Sequence, residues 1–160
     1  MRYSGLITND FTAAPGVSVS FFTQGCPHKC FNCQNPETWD FNGGKEYTQE
    51  VLTNLLGALT ANGIQRNLCI MGGEPLCPEN EFLTLLVIKT VKETYPNIPI
   101  YIWTGYTYEE LLIRKDKIPQ ILKLTDFLID GLYMDNLRDI TLPMRGSSNQ
   151  RIINLREIDN

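Results

Sequence analysis

The sequence contains no apolar run long enough to cross a bilayer. Its longest, near Phe82 to Ile88, is interrupted by Thr84 and stopped by Lys89, well short of the roughly 20 residues a membrane helix needs. It has no surplus of cations either: 14 Lys and Arg stand against 18 Asp and Glu, for a net charge of −4. Gripping nucleic acid by its phosphates requires the opposite balance, so no nucleic-acid partner is expected. Residues 1–16 show no basic start leading into an apolar stretch, so no signal peptide is expected and a cytoplasmic location is. No repeat, low-complexity tract or charge block divides the 160 residues, and one domain spanning 1–160 is the expectation. Cysteine is scarce, at five, and an odd count in a reducing compartment argues against a disulfide framework.

What the chain does have is alternation. Five β-rich runs stand out: Val17 to Thr23, Asn67 to Met71, Ile98 to Thr104, Asp126 to Asp130 and Arg151 to Leu155. The middle ones are almost continuously apolar, as in strands buried on both faces of a parallel sheet. Helical patterns lie between them. Val51, Leu52, Leu55, Leu56 and Leu59 follow the candidate cap Thr48; Phe82, Leu83, Leu86, Val87 and Val91 follow the candidate cap Asn80. Thr107 with Glu110 forms a capping box, and a short helix is expected from Pro119 to Lys123. This order predicts an α/β fold with a mostly parallel sheet, and too few strands to close an eight-stranded barrel predict a partial, open β/α barrel.

The unusual residues all fall where strands end. Cys26, Cys30 and Cys33 follow the first run, Gly72-Gly73-Glu74-Pro75 the second, Thr104-Gly105 the third and Asp130-Gly131 the fourth. Ligands in parallel α/β folds bind at that edge, so four loops are expected to converge on one site. The C-x3-C-x2-C spacing presents three thiolates from one tight loop. An iron–sulfur cluster takes four such ligands, and three leave one iron open. A zinc knuckle completed by His28 or Cys77 is the alternative, disfavoured because no second cysteine pair follows.

The cysteine loop after the first strand with Gly-Gly-Glu-Pro after the second resembles the radical S-adenosylmethionine (SAM) superfamily. Within it, GCPHKCFNCQNPETW, MGGEPL, IWTGY, DFLIDG and MRGSSNQ are similar to the activating proteins of anaerobic ribonucleoside-triphosphate reductases, over about residues 16 to 155. The resemblance implies that Cys26, Cys30 and Cys33 hold a [4Fe–4S] cluster and that SAM chelates the fourth iron. One electron would then release a 5′-deoxyadenosyl radical, which takes hydrogen from a backbone glycine of the anaerobic reductase. It further implies SAM contacts from Gly72, Gly73 and Glu74, with Glu74 accepting from the ammonium, and from Asn32, Cys33 and Gln34 near the adenine. A flavodoxin-type electron donor is implied as a second partner. No catalytic side chain beyond the cofactor ligands is expected. The alternatives are an activase of a different glycyl-radical enzyme, a deazaguanine synthase, or a non-catalytic zinc or electron-transfer module.

The remaining polar and aromatic residues carry plainer expectations. Phe31 is expected to pack against the cluster loop or in the core, and Trp39 and Trp103 in the core. His28, the only histidine, is expected to be exposed. Thr104 and Asp130 are candidates for contacts to SAM, with Asp130 alternatively capping a turn. Cys69 and Cys77 read as structural. Arg145 to Gln150 reads either as a solvated connection or as a surface near the radical site.

Overall fold

The computed structural model describes residues 1–158. Seven strands form one mixed sheet: β1 (Arg2–Asp10), β2 (Ser18–Thr23), β3 (Lys45–Glu46), β4 (Asn67–Gly72), β5 (Ile100–Trp103), β6 (Phe127–Asp130) and β7 (Arg151–Asn154), in the order β3-β1-β2-β4-β5-β6-β7. The β2–β4, β4–β5 and β5–β6 pairs are parallel, and the pairs toward both edges are antiparallel. The parallel α/β centre agrees with the alternation in the sequence. The strands β1 and β3 were not foreseen. β1 is an edge-side strand, half-exposed and twice shifted in register, so it carries no continuous apolar run.

Four helices connect the strands: α1 (Gln49–Leu59), α2 (Glu81–Thr94), α3 (Tyr108–Leu112) and α4 (Ile118–Leu124). All four pack on one face of the sheet. Strand residues Val19, Phe21, Leu68, Ile70, Ile100, Ile102 and Leu128 alternate toward that face and meet Leu55, Leu59, Val87, Ile88, Val91, Leu111, Ile118 and Ile121. Burying each such side chain contributes about 1.5–3 kcal/mol. Phe82 departs from expectation. The buried stripe of α2 runs through Leu83, Thr84, Val87, Ile88 and Val91, which turns Phe82 outward. The capping box of α3 is present as expected, with the Thr107 hydroxyl accepting from the Glu110 amide at 3.2 Å and Glu110 Oε2 from the Thr107 amide at 2.7 Å.

The opposite face is less covered. Cys69, Tyr101 and Ile129 form a smaller cluster there with Ala14, fringed by Met71, Trp103, Phe127, Met144 and Ile152. Because β2, β4, β5 and β6 run in the same direction, their carboxyl ends lie along one edge. The loops that follow them meet above this half-covered face.

Candidate cluster and cofactor site

A cavity of about 570 Å³ opens at that edge and runs down the face without helices. Cys26, Cys30 and Cys33 line its mouth with Gln34, Gly72, Gly73 and Glu74, while Phe22, Met71 and Trp103 line its wall. The loops after β2, β4 and β5 therefore do converge, and Gly131 brings in the loop after β6.

The cysteine loop is held at its base by the segment that follows it. The amides of Gly25 and Cys26 donate to the Thr38 and Trp39 carbonyls at 2.7 and 3.1 Å. The buried Gln24 side chain donates to the Glu37 and Asp40 carbonyls. All three thiols are free and half-buried. Burial pushes Cys26 up to about 11, opposed by hydrogen bonds from the His28 and Lys29 amides to its sulfur. Cys30 is likewise raised by burial and by the nearby Cys33, and opposed by the Tyr133 amide. Cys33 Sγ accepts from the Asn35 amide at 3.4 Å. Cys33 thus meets a backbone donor, and at Cys26 and Cys30 backbone amides oppose part of the effect of burial; donors to sulfur tune an iron–sulfur centre. Three soft donors in one half-buried pocket fit a cluster whose irons lie at separate corners. Among the described residues, no three Cys, His, Asp or Glu side chains converge as ligands of a single ion.

The Gly72-Gly73-Glu74 loop is built differently from its reading as an open clamp. Gly72 has φ +105°, and a Cβ there would stand 2.8 Å from the Thr23 backbone. A Cβ on Gly73 would run into the Gly25 carbonyl. The two glycines let the end of β4 close against the cysteine loop, which is a reason for them within the protein. The Glu74 side chain is 1% exposed, and its oxygens already accept four hydrogen bonds. Oε1 takes the Leu76 amide at 2.9 Å and the Thr104 hydroxyl at 2.7 Å; Oε2 takes the Gly105 amide and His28 Nε2, both at 2.7 Å. Glu74, expected to accept from a SAM ammonium, is here a junction for donors from the protein itself.

Other expectations shift similarly. His28 is half-buried and paired with Glu74, not exposed, because its ring fits beside Tyr106 with centroids 4.8 Å apart. Phe31 is at the surface, 76% exposed. Asn32, with φ +55°, turns its side chain to Asp135 and is absent from the cavity lining. Gln34 is exposed at the mouth. Trp39 and Trp103 are half-buried in the cavity wall, and Trp103 Nε1 donates to the Met144 carbonyl at 2.8 Å. Asp130 accepts from the Tyr108 amide and pairs with Arg151, so it holds the α3 entry to β7. Cys69 and Cys77 are buried as expected, and burial raises both thiols to about 12. In the 145–150 loop, Arg145, Gly146 and Gln150 line the cavity, so this stretch belongs to the site wall.

Two residues that brace the site escape the sequence reading. Asn80 precedes α2 but does not cap it with its side chain; its Nδ2 donates to the Gly25 and Glu74 carbonyls instead. Tyr133 had no signal at all, since its contribution is a backbone amide.

Known proteins similar to this chain give its family. The 4Fe-4S single cluster domain matches residues 13–153. A protein of Salmonella typhi is 34% identical over 157 residues, 98% of this chain and 100% of that protein. One of Enterobacteria phage T4 is 37% identical over 152 residues, 95% and 93% of the two chains. One of Escherichia coli K12 is 32% identical over 157 residues, again spanning all of the relative. Each is named anaerobic ribonucleoside-triphosphate reductase-activating protein. The chain belongs to the family of anaerobic ribonucleoside-triphosphate reductase-activating proteins, built on a 4Fe–4S single cluster domain.

Proposed function

We propose that the chain activates an anaerobic ribonucleoside-triphosphate reductase by installing a glycyl radical on it. The observation that carries this reading is the convergence of the three thiols with the Gly72–Glu74 loop on one cavity, in a chain similar to such activators over nearly its whole length. Cys26, Cys30 and Cys33 hold a [4Fe–4S] cluster. When bound, the cluster supplies one electron at low potential for the reductive cleavage of SAM.

The chain's own residues bind and orient. The amides of His28, Lys29, Tyr133 and Asn35 stabilise the sulfurs. Gly72 and Gly73 offer half-exposed backbone at the cavity mouth, with Gln34 beside them; the adenine side is assigned to Gln34 and the backbone of Asn32 on the family resemblance alone. Phe22, Met71 and Trp103 give the wall an apolar surface that limits water around a reactive radical. No acid or base is required, because hydrogen abstraction from a glycine moves a whole hydrogen atom. The electron is assigned to an external donor of flavodoxin type, as the family resemblance implies. We read the chain as one cytoplasmic domain. None of its helices is long and apolar enough to cross a membrane among the described residues. The linear strand order, with β3 and β7 at unjoined edges, supports an open partial barrel.

The test is to mix the reduced, SAM-loaded protein anaerobically with the reductase of the same organism. A glycyl-radical doublet in the electron paramagnetic resonance spectrum is expected, collapsing when α-deuterated glycine is incorporated. SAM cleavage with no radical on the reductase would overturn the assignment of the partner.

A further inference from the structure

We infer that His28 is a positioning residue for SAM: through Glu74 it ties the cysteine loop to the Gly72–Pro75 and Thr104–Gly105 loops, so that the walls of the cofactor site are fixed relative to one another. This rests on the cofactor reading above and assigns a role to a residue outside the cluster ligands.

The Glu74 carboxylate is the junction. Of its four donors, Leu76 belongs to its own loop, Thr104 and Gly105 to the loop after β5, and His28 alone to the cysteine loop. The amides on both oxygens can only donate, so the carboxylate accepts throughout and His28 Nε2 donates. The base of the cysteine loop is fixed independently, by the Glu74 amide and the Asn80 side chain on the Gly25 carbonyl. His28 lies farther along, between Cys26 and Cys30, and no other side chain at 27–29 has a hydrogen bond across to the Glu74 loop among the described residues. Its side chain is 14% exposed against 1% for Glu74, so the bond is shielded from competing water and is stronger than a surface pair.

The surroundings are shaped for the imidazole. Tyr106 meets the ring edge-on. Gly105 leaves the space the ring occupies: a Cβ there would stand 2.6 Å from Cδ2 and 2.7 Å from Nε2. The amides that serve the cysteine sulfurs do not depend on the imidazole. Loss of the side chain therefore spares the ligands and frees the loop tip relative to Gly72 and Gly73.

Three variants of the full chain test this after anaerobic reconstitution, with iron content, SAM affinity and the reduced-cluster resonance spectrum as readouts. His28→Ala is expected to keep its iron, to bind SAM about tenfold or more weakly, and to lose most of the spectral change that SAM produces. His28→Gln, whose amide donates along a similar direction, is expected to recover binding to within a few-fold. Gly105→Ala displaces the ring while retaining it, and is expected to resemble His28→Ala. Wild-type SAM affinity in His28→Ala, or a His28→Gln no better than His28→Ala, overturns the inference alone. Wild-type protein that holds four irons yet binds no SAM overturns it together with the cofactor reading.

Discussion

The Asn80 side-chain amide donates to the Gly25 carbonyl at 3.1 Å, joining residues 55 apart in sequence. The same nitrogen reaches the Glu74 carbonyl at 3.0 Å, so one buried side chain pins the cysteine loop and the Gly72–Pro75 loop from below. Asn80→Ala should lower unfolding free energy by about 1–3 kcal/mol, because it strands buried acceptors. Asn80→Asp should be worse, since a carboxylate would face two carbonyls with nothing to donate. Chemical denaturation of the three proteins side by side measures the order.

The cysteines should divide cleanly. Serine at position 26, 30 or 33 is expected to abolish the visible absorbance and iron content of the reconstituted protein. Cys69→Ser and Cys77→Ser should retain both, since those thiols are buried and neither lines the cavity that the triad lines. Loss of iron in Cys77→Ser would mean that a fourth thiolate takes part.

Glycine to alanine should have opposite signs at two positions. At Gly73 the new methyl collides with the Gly25 carbonyl, a backbone atom that cannot swing aside. That variant should lose stability and cluster assembly together. At Gly57, exposed within α1, the methyl meets nothing within 4 Å. There the substitution should stabilise by about 0.5–1 kcal/mol, seen as a higher melting temperature.

Acid should weaken the far end of the sheet through Asp126. Burial works to raise this carboxyl, but hydrogen bonds from Arg156, Lys92 and the Ile100 amide win and hold it below the usual 3.8. A carboxyl lowered by folding lends stability that is complete above the unfolded value and fades as pH falls through the folded one. Stability should therefore drop below about pH 4. Asp126→Asn should be less stable at neutral pH and show a shallower acid slope in denaturation midpoints.

Arg145 lines the cavity beside Gly146 and Gln150. If the reductase meets this rim, Arg145→Ala should lower glycyl-radical yield more than SAM cleavage. Equal losses in both assays would confine the arginine to supporting the site.

The sequence announces what depends on near neighbours. The thiol spacing, the capping box at Thr107 and the placement of reactive loops at strand ends are all local patterns, and the structure contains each of them. The bonds that bind the loops together are not local. Glu74 meets His28 across 46 residues and Thr104 across 30, and nothing in the text around Glu74 distinguishes a buried junction from an open acceptor. Phe31 and Phe82 mislead for a related reason. A large aromatic beside a motif or on an amphipathic helix reads as core, but on α2 the roughly 100° step per residue turns Phe82 off the buried stripe, and Phe31 sits in a turn of the cysteine loop.

The sheet never closes on itself, and its two borders differ in what they offer a stray strand. On one side stands β3, two residues long and consisting of Lys45 and Glu46, both exposed. A border so short and so charged gives another chain almost nothing to extend, which is how soluble sheets discourage stacking into fibrils. On the other side, Arg151 opens β7 with its guanidinium spent on Asp130 and Glu109. The β3 border therefore offers another chain no template on which to add a strand.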